Sequence, residues 1–151
     1  MSSFIAASLR QRYPFPFAYL MYHASLVGDG RAPVSLNVTW RYSAQQPFAV
    51  VMTVRETALI AEWSLSREQL LKGLRQHEVS GDVAVWPSTR HAGEVVIRIR
   101  LGAPPSLAVI EIERQPLTAW LQETLKLIPA GTETDFLRLD SVISRILDAG
   151  A

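Results

Sequence analysis

The order of apolar and polar residues predicts that strands fill most of the first half of the chain. Val34, Leu36, Val38, Trp40 and Tyr42 alternate with polar residues, which is the period-two pattern of a strand with one buried and one solvated face. The apolar run over residues 17–27 reaches this strand through Gly28-Asp29-Gly30, and an Asp-Gly pair supplies the positive φ of a tight hairpin. A second hairpin is predicted from residues 48–55 and 57–64.

A helix and further strands are predicted after this second hairpin. Ser66 is placed to cap the helix while Gln69 reaches back in a capping box, and the helix is expected to run to about Gln76. A short strand is predicted from Gly81 to Pro87, where the missing N–H ends it. The inner face of the helix is predicted to carry Leu70, Leu71 and Leu74. Two later strands are predicted over 94–101 and 107–113, separated by the breaker cluster 102–106.

The C-terminal part of the chain changes to helical spacing. Apolar residues recur with this period over 117–128 and again over 142–147, where Asp140 is predicted to cap the last helix. The predicted order is ββββα-βββαα, which lacks the alternation that builds a parallel sheet and therefore indicates an α+β fold with antiparallel sheets. We expect a loosely ordered N-terminal segment over 1–16 and one domain over 17–149.

Composition and charge exclude several classes of protein. The chain of 151 residues has no cysteine, so it offers neither a disulfide framework nor thiolate metal ligands. Its formal net charge of +1 gives no basic field for nonspecific binding to nucleic acid or membranes. No apolar run approaches the length of a membrane span, and Phe4 to Ala7 precede Arg10 and Arg12, the reverse of a secretory signal. We expect a soluble cytoplasmic protein.

The sequence offers no recognisable catalytic, cofactor or metal site. His23, His77 and His91 are far apart and form no paired metal motif or nucleophile-base arrangement. Gly28-Asp29-Gly30 leads into a strand, whereas a phosphate-binding loop leads into a helix. Neither lysine follows a glycine-rich loop, so a Walker motif is also missing. We therefore expect a protein that is not an enzyme and that binds no cofactor.

A single-stranded nucleic-acid-binding sheet is the alternative hypothesis, because such sheets carry aromatic and basic side chains. Trp40 and Tyr42, however, share the parity of the buried positions of their strand and are predicted to lie in the core. Arg98 and Arg100 match the parity of Glu111 and Glu113 on the next strand, which predicts paired charges on one face of a hairpin. Ile97 or Ile99 should pack inward with Ile110 and Ile112.

Several motifs occur in the order found in one known family. The N-terminal group is Pro33-Val34, Arg41-Tyr42 and Pro47-Phe48-Ala49-Val50, followed by Trp63, Arg67, Leu70-Leu71 and Gly73-Leu74. The later group is Gly81 to Ser88, then Pro129 to Glu133, Leu139-Asp140 and Ile146-Leu147. This ordered series resembles the SsgA-like proteins, the SsgB-like members among them, and it covers about residues 32–147.

The resemblance implies a sporulation and cell-division protein of actinobacteria that acts in septation. It implies recruitment of the tubulin-like protein FtsZ or of other septum-localised division proteins, a homotrimer, and a fold similar to the whirly single-stranded DNA-binding proteins. Which paralogue's role this chain performs stays open. Because a shared fold does not carry a shared function, we rank recruitment above nucleic-acid binding.

A partner surface is predicted at the loop between the two C-terminal helices, formed by Pro129, Gly131, Thr132 and Glu133. Proline cannot continue the preceding helix and Gly131 can adopt a left-handed conformation, so the loop should be short, stiff and exposed. A turn that merely packs both helices on the sheet explains the same residues equally well. Trp63 and Trp86 are expected to be mainly core residues.

Overall fold

The computed structural model describes residues 17–28, 32–57 and 59–150. The predictions for the N-terminal segment 1–16 and for the turn at Asp29-Gly30 lie outside the described residues. The proposed domain boundaries over 17–149 stay a prediction.

The described part of the chain contains eight strands and three α-helices, and a short 3₁₀ turn at His91–Gly93 lies between the sixth and seventh strands. The first group comprises β1 (Phe17–Val27), β2 (Val34–Ser43), β3 (Ala49–Glu56), β4 (Leu59–Ser66) and α1 (Arg67–Gly73). The second comprises β5 (Glu78–Ser80), β6 (Val83–Thr89), β7 (Val95–Ala103), β8 (Ser106–Glu113), α2 (Arg114–Leu127) and α3 (Glu133–Ala149). The α+β class and the predicted antiparallel pairing are confirmed.

All eight strands belong to one sheet with the order β4-β3-β2-β1-β8-β7-β6-β5. Every neighbouring pair is antiparallel, and the pairing of β1 with β8 joins the two meanders. The predicted hairpins are therefore all present. Similarity to the whirly fold stays a prediction.

The hydrophobic core lies on one face of this sheet. Alternate residues of β2, from Leu36 to Tyr42, are buried, as their spacing predicts. Helix α2 covers this face and inserts Trp120 towards Trp40, with the ring centroids 6.0 Å apart. Because Trp40 and Tyr42 are enclosed in the core, neither is available as a base-stacking surface.

The region around α1 differs from the sequence prediction in two respects. The Oγ of Ser66 accepts a hydrogen bond from the Gln69 backbone N–H, which confirms the cap, but the Gln69 side chain does not reach back. It donates instead to the carbonyl oxygens of Val83, at 3.0 Å, and Glu78. The helix ends at Gly73, where a Cβ would clash with Val85, so α1 packs directly against β6.

The sheet contains one more strand than predicted, because β5 is only three residues long and carries too little periodicity to be recognised. Pro87 does not end β6, which continues to Thr89. Beyond Val85, β6 pairs with β7 alone, so the missing N–H of Pro87 disrupts no ladder on the β5 side. The prediction that this proline terminates the strand is wrong.

The last helix begins seven residues before the predicted cap. Helix α3 starts at Glu133, and Asp140 lies inside it. Glu133 and Asp135 both fall in its first turn, where negative side chains interact favourably with the helix dipole. These two acidic residues outweigh the cap expected at Asp140. The prediction of two closing helices is confirmed, although the boundary is wrong.

The β7–β8 hairpin carries its charges on one face, as predicted, but only part of the pairing is correct. Arg98 lies opposite Glu111, and its Nε donates to the carboxylate at 3.0 Å; Arg90 binds the same carboxylate. Arg100 lies opposite Val109, and its Nε has no hydrogen-bond partner among the described residues. The prediction that both arginines are paired is therefore wrong for Arg100.

Trp63 and Trp86 are half-buried. Trp63 packs against the edge of the core, and Trp86 lies beside the ring of His77 with a centroid separation of 5.4 Å. Trp40 and Trp120 are the tryptophans enclosed in the described core, so the expectation for Trp63 and Trp86 holds only in part.

Candidate functional site

A buried arginine connects the sheet to the C-terminal helices. Arg67, the first residue of α1, is 1% exposed, and its guanidinium carbon lies 4.8 Å from the centroid of the Tyr42 ring. Its Nη1 donates to the carbonyl oxygens of Thr124, at 3.1 Å, and Ile128, at 2.7 Å. Its Nη2 contacts a carboxylate oxygen of Glu133 at 2.7 Å. One side chain therefore holds the end of α2 and the start of α3 together.

These contacts compensate for the cost of burying the charge. A buried guanidinium is tolerated only when its donors are paired, and here three acceptors and an aromatic face surround it. Both carbonyls lie at the C-terminal end of α2, a region in which helices leave acceptor capacity unused. The same enclosed environment raises the pKa of Tyr42 to about 12 through burial, and its hydroxyl donates to the Pro47 carbonyl oxygen at 2.8 Å.

The loop between α2 and α3 is a tight turn supported by this arginine. The Thr132 backbone N–H and Oγ1 both donate to the Pro129 carbonyl oxygen, at 3.1 and 2.7 Å. Gly131 has a φ of +89°, the left-handed conformation that position i+2 of a type II turn requires. Its N–H donates to the Glu133 carboxylate at 2.8 Å. The predicted short and conformationally restricted loop is therefore confirmed.

The four predicted site residues lie together but present different groups. Pro129 and Gly131 are exposed, together with Ala130 between them. Thr132 and Glu133 are partly buried, and their side chains make the internal hydrogen bonds of the turn. The accessible surface of the loop is therefore formed mainly by residues 129–131. Whether it contacts a partner stays a prediction.

The ionisation of Glu133 depends on the same contacts. Burial disfavours its charged form, but the hydrogen bond from Arg67 and the backbone N–H groups of Gly131 and Glu133 outweigh burial and lower the pKa. A carboxyl group whose pKa is lower in the folded state stabilises the fold at pH values above its unfolded-state pKa. This contribution disappears as the pH falls through the folded-state pKa.

We expect the Glu133→Gln variant to reveal this linkage. The variant should have a lower free energy of unfolding than wild type, by an amount that is constant above about pH 5 and shrinks below about pH 4. The ordinary pKa of a glutamate side chain lies between these two pH values. Urea unfolding across this range measures the deficit. Glu123→Gln is the matched control, because Glu123 pairs with Lys126 in solvent. A deficit for Glu133→Gln that is independent of pH would contradict the assignment.

Arg67 is the residue whose role was missed at the sequence level. Its position offered one indication, since a cation at a helix N-terminus opposes the dipole and calls for another stabilising contact. Its hydrogen-bond partners lie 57 to 66 residues away in sequence, so no local spacing reveals them.

The described residues contain neither a metal-binding cluster nor a membrane-spanning helix. No group of three or more His, Cys, Asp or Glu side chains is placed to hold a metal ion in the described ranges. None of the helices described has the length and apolar character needed to cross a membrane.

Comparison with known proteins identifies the class of protein that has this fold. The family model described as "Streptomyces sporulation and cell division protein, SsgA" matches residues 36–133. The crystal structure of an SsgA-like sporulation-specific cell division protein from Thermobifida fusca YX-ER1 superimposes with a TM-score of 0.82 at 29% identity, covering 88% of this chain and 97% of that one.

Relatives of similar length support the same assignment. The sporulation-specific cell division protein SsgB of Frankia casuarinae is 33% identical over 126 residues, covering 83% of this chain and 87% of that protein. SsgB of Streptomyces coelicolor is 34% identical over 126 residues, covering 83% and 91%. The chain belongs to the SsgA-like family of sporulation and cell-division proteins, and this membership supports a role in those processes.

Proposed function

We propose that the protein is a non-catalytic module that recruits or positions septum machinery such as FtsZ. It would act in the cytoplasm at division septa, and the relatives named as sporulation-specific cell division proteins support a role in division. The observation that carries the proposal is the exposed loop 129–131, held by the buried Arg67 through Glu133.

The loop is suited to recognition for a physical reason. A turn whose conformation is already restricted loses little entropy when a partner binds it, and exposed loops on a rigid scaffold often carry binding function. The hydrogen bonds from Thr132 and Gly131 restrict the backbone, while the side of the loop that faces solvent offers Pro129 and Ala130. This small apolar surface could enter a shallow groove on a protein partner.

Replacing Gly131 with leucine tests the role of the loop, and Gly81→Leu is a matched control. Both glycines are exposed with positive φ, and the space that a Cβ would enter is open at each, so each substitution should cost about 1–2 kcal/mol of stability through backbone strain. Gly81 lies in the distant β5–β6 turn. We expect FtsZ affinity to fall at least about tenfold for Gly131→Leu alone, the loss of one substantial contact.

Ala130→Glu complements this pair because it changes the exposed surface without a positive φ. Stability should stay within about 0.5 kcal/mol of wild type while FtsZ binding falls. Fluorescence anisotropy with labelled FtsZ and thermal unfolding should be measured on the same samples. Unchanged binding in Ala130→Glu, or equal loss in the two glycine variants, would leave the loop as a turn only.

We also propose that the module assembles as a homo-oligomer, with a trimer favoured. Several copies of one weak site raise avidity without any new contact, which suits a recruiting protein without catalytic turnover. Light scattering across micromolar concentrations measures the mass.

A further inference from the structure

The last helix presents an apolar stripe that nothing in the described chain covers. Val142, Ile143, Ile146 and Leu147 recur at helical spacing along α3, with Ile146 65% and Leu147 69% exposed. The helix makes no extensive contact with any strand or with another helix of the described chain. An amphipathic helix normally buries such a stripe, so the exposed stripe indicates a docking element.

An apolar hollow lies at the hairpin-tip end of the sheet. Its volume is about 380 Å³, which falls within the range of binding pockets. The lining comes from strands on both sides of the junction between the two meanders, including Leu26, Leu36, Val54, Trp63, Leu107 and Ile110. Glu56 and Ser106 contribute polar groups. The hollow thus has the composition expected of a site for aliphatic side chains.

We propose that α3 of one copy docks its apolar stripe into this hollow of a second copy. The chain carries both halves of the contact, and docking between copies removes both exposed apolar surfaces. The contact joins two different patches, so it is heterologous and gives a ring where the rotation closes. It rests on the homo-oligomer put forward above and supplies an interface for it.

The geometry favours a second copy over the chain's own helix. Glu133 fixes the start of α3 beside Arg67, at the end of the sheet where β4 ends and β3 begins. The hollow lies at the opposite end of β3, and it is open in the described chain. The stripe residues of α3 are exposed in the described chain, so the chain's own helix does not bury them in the hollow.

Pairing of α3 with α3 is a weaker arrangement for this sequence. The helix has 17 residues, just over two heptads, whereas coiled coils are recognised over at least about three to four. Such pairing would also leave the hollow open to water. Charge supports the helix-in-hollow contact, because Glu56 at the hollow and Arg145 beside the stripe have no ion pair among the described residues and carry opposite signs.

Two substitutions disable the two halves separately. Ile146→Asp places a charge on the stripe of α3, and Leu107→Asp places one at the hollow; both residues are exposed, so the fold should tolerate the changes. Ser144→Asp is the helix control, away from the stripe, and Ile60→Asp is the strand control, because Ile60 is exposed on β4 but does not line the hollow.

Light scattering at equal micromolar concentrations should find oligomers for wild type and both controls, and monomers for the two interface variants. A one-to-one mixture of Ile146→Asp and Leu107→Asp should form a heterodimer, because one intact helix and one intact hollow remain. The expected result is that the light-scattering mass of the mixture equals that of a heterodimer. A Leu107→Asp variant that stays oligomeric while Ile146→Asp dissociates would overturn the proposal in favour of α3 self-pairing. So would a mixture that stays monomeric.

FtsZ binding separates this inference from the proposed recruiting function. Monomeric variants should retain single-site binding to FtsZ through loop 129–131, with only the avidity lost. If each interface variant stays oligomeric and still binds FtsZ, the interface is refuted and recruitment stands. An oligomer that dissociates as expected but never binds FtsZ, even as wild type, would refute recruitment and leave the interface standing.

Discussion

Replacing Arg67 with methionine should lower the free energy of unfolding by about 3–5 kcal/mol, the usual effect of removing one member of a buried ion pair. The substitution leaves the Glu133 carboxylate, 14% exposed, without its main partner, and it removes the side-chain donor from the carbonyls of Thr124 and Ile128. For a domain of this size, the melting temperature should fall by roughly 6–20 °C. Differential scanning calorimetry measures the change.

Lys72→Met is the matched control for Arg67→Met. Lys72 also lies in α1 and pairs with Glu68 at 3.0 Å, but both side chains are exposed, so the loss should be at most about 1 kcal/mol. Arg67→Lys should recover only part of the stability, because an ammonium lacks the planar fork that reaches several acceptors at once. Equal small losses for Arg67→Met and Lys72→Met would contradict the anchoring role.

Truncating Trp40 to alanine should cost about 3–5 kcal/mol, because its side chain is fully buried and the space would stay largely empty. Its neighbour Trp120, 6.0 Å away, would lose an aromatic contact as well. Urea unfolding monitored by circular dichroism measures the loss. Trp40→Phe should cost less, because it keeps an aromatic ring and removes an indole N–H that has no partner among the described residues.

Trp86→Ala provides the comparison for Trp40→Ala. The Trp86 side chain is half-buried and contacts His77, which is exposed, so its removal should cost clearly less than the truncation of Trp40. A loss as large as that of Trp40→Ala would show that Trp86 contributes to the core in a way that its exposure does not indicate.

The strands could be predicted from sequence where one face of the strand is buried and the other face is in contact with solvent. Residues 36–42 alternate cleanly because one side of β2 is buried, with Trp40 against Trp120 of α2, while the other side is more exposed, so period two is visible directly. The charged β7–β8 hairpin followed the same rule for its faces. Its pairing failed at Arg100 because parity fixes the face of a side chain but not the register between strands.

The candidate site could be predicted only in part, for a related reason. Pro129 and Gly131 are turn residues, and their local chemistry predicts a restricted exposed loop. The anchor that holds this loop depends on contacts between Arg67 and residues far along the chain, which no local pattern encodes. The side-chain contacts of Gln69 were hidden in the same way, since its acceptors in β5 and β6 become neighbours only after folding.

The recruiting role ties these features together physically. Arg67 fixes Glu133, Glu133 accepts the N–H of Gly131, and the exposed part of the loop is thereby held in one conformation. If the loop contacts FtsZ, Arg67→Met should weaken binding even at temperatures where the variant is folded, because the free loop then loses more entropy on binding.

Titration of the purified protein with FtsZ, in parallel with labelled single-stranded DNA at physiological salt, tests the recruiting function most directly. A near-neutral protein whose sheet aromatics Trp40 and Tyr42 are enclosed in the core should bind FtsZ saturably and show only weak DNA binding. Tight, salt-sensitive DNA binding without any response to FtsZ would contradict the proposed function and favour a nucleic-acid-binding sheet.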